Sequence, residues 1–385
     1  MTKTDRERQR KAPILRFKGF TDAWEQRKLG TITDTYSGGT PQVSVKDYYS
    51  NNEIPFIRSS DIHKNKTELY ISSKGLENSS AKLVSKGHIL YALYGATSGE
   101  VDVSKIDGAI NQAVLCINAH NDLNYFLMLF LSKNKDKIVR KYIQGGQGNL
   151  SASIIKKIKV FTTSKLEETK ISNLVKILSD IIALYEMKKQ LLTQLKQGIV
   201  NFLITKNGQK PQLRFSGFNN NWESKSFEKL LNYEQPTKYI VKKADYISQG
   251  TPVLTANKSF ILGYTNETNI YQNIPAIIFD DFTLESKYVD FPFMVKSSAI
   301  KILTSKNSNL FFIYQLLNNQ RFVQEGHSRH YISVVQKKKV LVPSIQEQNK
   351  IGNLIKQLEN NIEQNSNTIS LLKRLKKFLL QSMFL

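Results

Sequence analysis

The sequence LRFKGF at residues 15–20, with Trp24 shortly after it, returns 198 positions later as LRFSGF at residues 213–218, with Trp222 in the equivalent place. The chain has 385 residues and only these two tryptophans. Self-similarity at a fixed offset, with the rarest large side chain at matching positions, predicts two copies of one module in tandem.

A second repeated segment follows each opening segment. KISNL at residues 170–174 recurs as KIGNL at residues 350–354, an offset of 180. The offset falls from 198 to 180, so the second copy is 18 residues shorter between its matching segments. Each module therefore consists of a variable globular part followed by a more uniform tail. Two similar modules on one basic chain favour a reader of a two-part target.

The composition indicates a folded, strongly basic chain that is long enough for two or three domains. It is 40% hydrophobic and 10% aromatic, which argues against disorder. The formal net charge is +23 at pH 7. Such an excess concentrates polyanions near the surface and makes their binding depend on salt. Nucleic acid is therefore the expected partner, and the alternative is a basic protein that binds no polyanion.

Several features bear on where the protein works. No apolar run approaches the roughly 20 residues of a membrane span, so we expect no membrane contact. Residues 1–11 form a charged run without the apolar core of a secretory signal. The single cysteine, Cys116, excludes an intrachain disulfide and fits a reducing cytoplasm. It lies in the apolar run 113–117, so we expect a buried thiol in a cytoplasmic protein.

The tails are predicted to be long helices, because apolar residues recur with alternating spacings of four and three. About 32 residues in each tail correspond to roughly 48 Å of helix. The predicted seam positions are Leu174, Leu178, Ile181, Tyr185, Lys188, Leu192, Leu195, Ile199 and Phe202 in the first tail, and Leu354, Leu358, Asn361, Asn365, Thr368, Leu372, Leu375, Leu379 and Ser382 in the second.

An apolar seam of this kind needs a partner, and the other tail of the same chain is the nearest one. If the two helices pack antiparallel, Lys188 lies opposite Thr368 and Asn361 lies opposite Leu195. Polar residues at seam positions lower stability and fix the register. The alternative is that each helix packs on its own globular domain.

The globular parts are predicted to be mixed α/β, so the whole chain is assigned to the α+β class. Short runs rich in β-branched and aromatic residues predict strands at residues 54–57, 88–91, 113–117, 253–255, 276–279 and 299–303. One helix is predicted near the end of each part, from about 123 to 143 and from about 310 to 325, with Asp122 and Ser308 as N-caps. Basic strands at residues 156–160 and 336–340 are predicted to lead into the tails.

Polar loops follow both predicted helices, at residues 144–149 and 326–330. Asn, Gln and Arg side chains match the edges of adenine and guanine in the major groove, and lysines suit phosphates. Lysines on an edge strand can also simply protect that edge from pairing. The candidate DNA-binding residues are Arg58, Ser59, Lys64, Tyr94, Thr97, Gln147, Asn149, Lys156, Lys157, Thr255, Asn257, Lys258, Thr283, Lys287, His327, Arg329, His330 and Lys337.

No catalytic motif is evident, so we expect no catalytic residues, no metal and no cofactor in this chain. There is no phosphate-binding loop of the NTPase kind and no metal-ligand spacing around the five histidines. Asp280 and Asp281 follow an apolar run and could hold a divalent ion, which leaves a metal-dependent nuclease as one alternative. A coiled-coil scaffold that binds only protein is another.

Several segments together resemble the specificity subunit of type I restriction-modification systems. The opening LRFxGF with its tryptophan occurs in both halves, and SGGTP at residues 37–41 resembles the start of a target-recognition domain. KGHIL at residues 86–90 and AINQA at residues 109–113 resemble its middle, and VPSIQEQ at residues 342–348 resembles the entry to a central helix. Module one departs from the family pattern, with Glu167–Glu168 in place of the usual Glu-Gln.

The resemblance implies two target-recognition domains, each reading half of a split DNA site, held apart by an antiparallel pair of helices. It implies double-stranded DNA and two methyltransferase subunits as partners, and two motor-nuclease subunits can join them. S-adenosylmethionine belongs to the methyltransferase partner, and ATP and Mg to the motor. Because module two lacks the SGGTP segment, we expect an asymmetric site. The predicted regions are a charged tail (1–14), recognition domains (15–160 and 213–343), helical regions (161–205 and 344–385) and a linker (206–212).

Overall fold

The chain forms two compact units in a computed structural model. Unit 1 consists of Met1–Leu184 and Ile369–Leu385, and unit 2 consists of Tyr185–Thr368. The structure describes residues 12–121, 123–143, 149–204, 210–243, 245–256, 259–322 and 330–385. Each unit is a globular module that includes parts of two long helices.

The strands of unit 1 form three sheets. They are β1 Glu25–Lys28, β2 Thr33–Ser37, β3 Tyr49–Ile57, β4 Tyr70–Ile71, β5 Lys82–Val84, β6 Ile89–Ala92, β7 Val101–Val103, β8 Gly108–Ile110, β9 Val114–Ala119 and β10 Lys159–Thr162. One antiparallel sheet has the order β2-β9-β6-β7. A second has the order β4-β3-β8-β5, with β3 and β8 parallel, and β1 pairs with β10. The helices that begin in this unit are α1 Ser73–Glu77, α2 Asn124–Lys133, α3 Lys135–Ile143, α4 Ala152–Lys156 and α5 Lys165–Leu203.

Unit 2 repeats this plan with fewer elements. Its strands are β11 Glu223–Ser226, β12 Leu231–Glu234, β13 Thr251–Leu254, β14 Ile261–Thr265, β15 Ala276–Asp280, β16 Ser286–Val289, β17 Met294–Val295, β18 Ile300–Ser305 and β19 Lys339–Val342. Its helices are α6 Phe227–Leu230, α7 Leu310–Asn318 and α8 Ile345–Met383. The antiparallel sheet β12-β18-β15-β16 has the same strand order as β2-β9-β6-β7, and β11–β19 matches β1–β10. A three-stranded sheet, β14-β13-β17, completes the unit.

The repeated tryptophans lie in the two cores. Trp24 is 1% exposed and packs on Phe126, with ring centroids 5.9 Å apart, and Phe384 stacks on Phe126 at 5.0 Å. In unit 2, Trp222 meets Phe312 edge-on at 6.2 Å. Aromatic pairs in this distance range add stability beyond the area they bury. The repeated sequence segment therefore corresponds to the same type of aromatic packing in both units.

The repeated arginine fixes the start of each long helix. Arg16 donates two hydrogen bonds to the carboxylate of Glu167, at 2.8 and 2.7 Å, and Arg214 does the same to Glu347, at 2.9 and 2.7 Å. Both glutamates are buried, at 0% and 1% exposed. Bidentate pairs of this kind are strong and geometrically specific, so each opening segment is tied to the helix that closes its module. The sequence analysis did not identify these pairs, although both partners lie within or beside the repeated segments.

The helices confirm the predicted tails but are longer than expected, at 39 residues each. In unit 1, Leu178 and Ile182 of α5 share a core with Leu379 and Met383 of α8, so the early part of one helix lies beside the late part of the other. In unit 2 the late part of α5 shares a core with Ile351 and the rest of the early part of α8. The helices are therefore antiparallel, and each segment packs on its globular domain as well.

The register of the seam differs from the prediction at every second position. The inward positions are Ile171, Val175, Leu178, Ile182, Tyr185, Lys189, Leu192, Lys196, Ile199 and Leu203 in α5, and Ile351, Ile355, Leu358, Ile362, Asn365, Ile369, Leu372, Lys376, Leu379 and Met383 in α8. The structure places the predicted seam residues Leu178, Tyr185, Leu192, Ile199, Leu358, Asn365, Leu372 and Leu379 at inward positions. Of the others, Ile181, Lys188, Leu195, Phe202, Asn361 and Leu375 are exposed, Thr368 is half-buried and Ser382 is buried. Leu174 and Leu354 are half-buried and pack on the cores. Because residues 181 and 182 are both isoleucine, the sequence pattern alone does not determine which of them points inward; packing against the neighbouring surface does.

The connections of the globular parts also correct the sequence analysis. The predicted helix at 123–143 is two helices, interrupted at Asn134, and the one predicted at 310–325 ends at Asn318. The N-cap of α7 is Asn309, whose Oδ1 accepts from the Phe312 amide at 2.8 Å, and not Ser308. The other N-cap candidate, Asp122, lies outside the described residues. The predicted strand candidates are confirmed as β3, β6, β9, β13, β15 and β18.

Candidate nucleic-acid interface

A hairpin loop in unit 1 carries two of the predicted DNA-binding residues, Tyr94 and Thr97. It joins β6 to β7 and is closed by hydrogen bonds from the Gly99 amide to the Ala92 carbonyl and from the Glu100 amide to the Thr97 carbonyl, both 2.9 Å. Gly99 has φ of +83°, and a Cβ there would come within 2.6 Å of Val139 in α3. The loop is therefore tightly backed by that helix.

A short 3-10 turn, Ser59–Asp61, carries three further candidates: Arg58, Ser59 and Lys64. Asp61 is only 4% exposed and accepts from Lys64 Nζ at 2.8 Å and from Arg58 at 3.3 Å. Burial opposes ionisation, but these hydrogen bonds hold the pKa of Asp61 below its usual value. Arg58 and Lys64 stay largely exposed while their stems are fixed by one carboxylate. Such an arrangement orders a basic turn without removing its cations from solvent.

His63 links this turn to the hairpin. Its Nδ1 lies 3.2 Å from Asp102 and its Nε2 lies 3.0 Å from Glu100, and Lys105 Nζ donates to the His63 carbonyl at 2.7 Å. Because both ring nitrogens face carboxylates, the imidazolium form is favoured. The hydrogen bond to Asp102 raises the pKa of His63, and Glu100 adds to the effect against the cost of burial. Two predicted groups more than 30 residues apart are thus brought to one edge of the unit.

The segment that follows the first polar loop returns to the same hairpin. The Leu150 amide donates to the Leu93 carbonyl at 2.8 Å, which places exposed Asn149 beside the hairpin base. In unit 2, the His330 amide donates to the Asp281 carbonyl at 3.1 Å, at the equivalent point of the β15–β16 hairpin. A second backbone hydrogen bond also holds the base of each hairpin. The Leu93 amide donates to the Ala113 carbonyl in unit 1, and the Asp281 amide donates to the Ala299 carbonyl in unit 2. Both units therefore build the same assembly of hairpin and returning segment.

In unit 2 the acidic pair supports this assembly. Asp280 Oδ1 accepts from the amides of Phe282 and Thr283, both at 2.9 Å, and so caps the hairpin turn. Asp281 is 2% exposed, and it accepts from the Tyr331 amide at 2.7 Å and lies 3.4 Å from Lys301 Nζ. Within the described residues, no group of three His, Cys, Asp or Glu side chains could hold a metal ion. The pair is thus engaged in structural contacts, which removes the observation that had suggested a nuclease.

The remaining candidates are dispersed. Thr283 is exposed on the hairpin, and Lys287 and Thr255 are half-buried. His330 is 2% exposed, with its ring Nδ1 3.3 Å from the Asp281 carbonyl, so its position is that of a support and not of a contact to DNA. Gln147, Asn257, Lys258, His327 and Arg329 lie outside the described residues.

Three candidate lysines were placed in the wrong kind of element. Lys156 is the last residue of α4, Lys157 follows it, and Lys337 lies two residues before β19. All three are exposed, so they can still meet an anion. In unit 1 the strand starts later, at Lys159, because Ser151 caps a short helix at its Ile154 amide and that helix uses the residues before the strand. In unit 2 the strand starts at Lys339, after the π-helical segment Tyr331–Val335.

His63, Lys105 and Lys135 at this edge were not among the candidate residues predicted from sequence. His63 and Lys105 lie within the contacts described above, and Lys135 of α3 forms an ion pair with Glu100. His63 lies beside the candidate Lys64, but its partners are 37 and 39 residues away. No local pattern signals such a contact, and only the pairing of the sheets could have revealed it.

Comparison with known proteins agrees with this geometry. The sequence profile of the type I restriction modification DNA specificity domain matches residues 21–197 and again residues 219–374. The specificity subunit of the type I restriction enzyme EcoR124I/EcoR124II of Escherichia coli is 51% identical over 123 residues, 30% of each protein. The MjaIX specificity subunit of Methanocaldococcus jannaschii is 25% identical over 182 residues, 45% of this chain and 41% of that protein. The matched stretches thus span less than half the length of these relatives.

A solved structure shows the same fold over nearly the whole length. The S subunit of a type I restriction-modification system from M. genitalium superposes with a TM-score of 0.70 at 15% identity, covering 97% of this chain and 99% of that one. The chain is thus a tandem pair of mixed α/β modules with long helices. It belongs to the type I restriction-modification DNA specificity family, with two specificity domains in one chain. Among the described residues, no helix is both long and apolar enough to cross a bilayer.

Proposed function

We propose that this chain is the non-catalytic DNA-specificity subunit of a type I restriction-modification complex, in which each unit reads one half of a bipartite site. The observation that carries the proposal is the repeated assembly of hairpin and returning segment, at Leu93–Leu150 and at Asp281–His330. Its scaffold is the same in both units, whereas the loop side chains differ: half-buried Tyr94 and Thr97 in unit 1 against exposed Thr283 in unit 2. A common scaffold with different contact residues suits two different half-sites, so the site is asymmetric.

The net charge of +23 supports a polyanionic partner. Double-stranded DNA is that partner, and the reading is done by the ordered polar loops rather than by chemistry in this chain. Adenine methylation and its S-adenosylmethionine belong to the methyltransferase subunits, and ATP and Mg to the restriction subunits. We place this assembly in the cytoplasm with the DNA that it reads. The long helices set the spacer between the half-sites.

The helices also provide docking surfaces for methyltransferase subunits. In unit 1, Ile177 and Leu184 of α5 and Leu371 and Phe378 of α8 are 55–63% exposed, although all four are large and apolar. Apolar patches of this kind on the outside of a helical pair are typical of protein interfaces.

Unit 2 has its own exposed set, in Met187, Leu191 and Leu195 of α5, at 51–60%. The stripe therefore occurs once in each unit. One such surface in each unit supports two methyltransferase subunits per chain.

Methylome sequencing tests the recognition role. Cells that express this chain with its methyltransferase subunit should carry N6-methyladenine in both halves of a split, non-palindromic motif, and deletion of this chain should remove it. Unchanged methylation on deletion would contradict the proposal.

Native mass spectrometry tests the docking role. Leu371→Asp with Leu375→Asp should remove one methyltransferase subunit from the complex, and Leu191→Asp with Leu195→Asp should remove the other. Gln357→Asp with Gln364→Asp is the matched control, because these exposed α8 positions are already polar. Loss of both subunits from a single double variant would argue against one surface in each unit.

A further inference from the structure

A basic cavity of about 290 Å³ lies in unit 1 between α3 and the start of β10. Lys137, Lys141 and Tyr142 of α3 line one side of it, and Lys157 and Lys159 line the other. Its floor is apolar, formed in part by the side chains of Phe130, Ile138 and Ile158. The four lysines are exposed, so their ammonium groups remain accessible to a ligand from solvent.

The charge of this cavity is not balanced by its own walls. No acidic residue lines it, and none of its four lysines forms an ion pair with a carboxylate of the described residues. The neighbouring Lys133 shows the effect of this field, since burial and the charge of Lys137 together lower the pKa of its ammonium group. Several like charges around one concave surface raise the local concentration of oppositely charged ligands. The cavity therefore fits a multiply charged anionic ligand.

The position of the cavity identifies that ligand. Helix α3 forms one wall and also backs the β6–β7 hairpin, through the ion pair of Lys135 with Glu100 and the close approach of Val139 to Gly99. The width of one helix thus separates the basic cavity from the loop that carries Tyr94 and Thr97. Double-stranded DNA is the multiply charged anion that the proposed function brings to this hairpin, and its sugar-phosphate backbone carries a negative charge on each phosphate.

We propose that this cavity is a phosphate clamp, in which Lys137, Lys141, Lys157 and Lys159 hold the DNA backbone beside the half-site read by unit 1. The inference rests on the proposed function and adds to it the residues that position the duplex. Phosphate contacts fix the register of a protein on DNA and carry no sequence information. The clamp therefore contributes affinity and placement, and the hairpin contributes specificity.

The salt dependence of DNA binding tests the clamp. The variant with Lys→Gln at positions 137, 141, 157 and 159 is assembled with the methyltransferase subunit and titrated by fluorescence anisotropy with a motif-bearing duplex and a scrambled duplex. Each lost phosphate contact lowers the slope of log K against log salt by about 0.9, so we expect a decrease of about 3 to 4. The affinity should fall by the same factor for both duplexes, and the methylated motif should stay unchanged.

Two matched variants separate the clamp from general effects. Lys→Arg at the same four positions should keep the wild-type slope, because the positive charges remain. Lys→Gln at the exposed positions Lys46, Lys74, Lys82 and Lys86 removes the same total charge from unit 1 and should leave the slope nearly unchanged.

Three outcomes would overturn the clamp while the proposed function stands, and the first two concern the salt dependence. They are a wild-type slope in the cavity variant and an equal decrease in the control variant. Loss of affinity for the motif duplex alone would show that these lysines read bases, which also overturns it. If the wild-type complex methylates no split motif, the proposed function itself fails.

Discussion

Glu168 is a buried carboxyl at a position where unit 2 has an amide, Gln348. Gln348 donates from Nε2 to the Pro343 carbonyl at 2.9 Å and accepts from the Asn309 amide at 3.0 Å. Glu168 is 2% exposed and accepts from the Thr163 amide at 2.9 Å. Burial, with a smaller contribution from the charge of Glu167, raises the pKa of Glu168 from 4.5 to about 7. Unit 1 thus contains a titrating group where unit 2 has a neutral one.

We therefore expect Glu168→Gln to stabilise unit 1 in a pH-dependent way. The folded state keeps its proton between pH 4.5 and about 7 while the unfolded state releases it, so wild-type stability falls across this window. The variant lacks this loss and should gain about 2 to 3 kcal/mol at pH 8 and little at pH 4.5. Urea denaturation at both pH values measures the difference, and Gln348→Ala, which leaves Glu168 intact, serves as a control. A gain of equal size at both pH values would contradict the assignment.

His63 gives a second prediction at this scale, with the opposite charge type. Its raised pKa means that the imidazolium stabilises the link between turn and hairpin. This contribution is fully present below the unfolded-state pKa of about 6.5 and is lost as pH rises through the higher folded-state pKa. Amide exchange of residues 93–100 should therefore accelerate with pH beyond its intrinsic rate, and His63→Gln should remove that excess.

A matched control for His63 is His120→Gln, because exposed His120 lies 3.3 Å from one carboxylate, Asp34, elsewhere in the unit. That variant should retain the excess pH dependence of the hairpin amides. If it loses the excess as His63→Gln does, the link does not depend on His63.

At the scale of the elements, packing of the two long helices buries one isoleucine and leaves its neighbour in the sequence exposed. Ile182 is 7% exposed within the unit 1 core, whereas Ile181 is 38% exposed. Ile182→Ala should cost about 2 to 5 kcal/mol of unfolding free energy, because it leaves a cavity. Ile181→Ala should cost less than about 1 kcal/mol. Thermal or chemical denaturation of the isolated chain distinguishes the two, and a larger loss from Ile181→Ala than from Ile182→Ala would favour the seam register predicted from sequence.

This pair of residues also shows where sequence reasoning stops. The periodicity correctly predicted two long helices, because alternating four-three spacing has few other causes, and the family resemblance implied their antiparallel arrangement. It could not choose between Ile181 and Ile182, since both continue the pattern and the choice depends on the surface that each meets. Exposed Ile181 belongs to a second apolar stripe on the helix. The prediction assigned it to the buried seam because only one seam was expected.

The same limit applies to the candidate interface. Arg58, Lys64 and Tyr94 were among the candidate residues, and the structure places them on a turn and a hairpin that lie at one edge of the unit. Their link through His63 depends on sheet pairing, which local composition does not encode. The break at Asn134 is similar: its side-chain amide donates to the Phe130 carbonyl at 2.9 Å and ends α2, whereas the apolar pattern runs on.

At the scale of the whole molecule, two similar but diverged units in one chain suit a target with two different halves. Both units hold a hairpin by the same backbone contacts, but unit 1 carries the four-stranded sheet β4-β3-β8-β5 where unit 2 has the three-stranded β14-β13-β17. The charge that attracts DNA is a property of the entire chain, whereas the reading side chains belong to one unit each. We therefore expect both units to contribute to the affinity for DNA, and each unit alone to determine the base specificity of its own half-site.

Half-site substitutions test this division. Tyr94→Ala with Thr97→Ala should relax the bases in one half of the methylated motif, and Thr283→Ala should relax the other half. A lost base contact costs about 1 to 3 kcal/mol, which corresponds to roughly a 5- to 150-fold loss of discrimination at the affected positions. Methylome sequencing of each variant reads both halves in the same experiment, so the untouched half is an internal control. Relaxation of both halves by either substitution would mean that the two units do not read independently, and the assignment of one half-site to each unit would have to be abandoned.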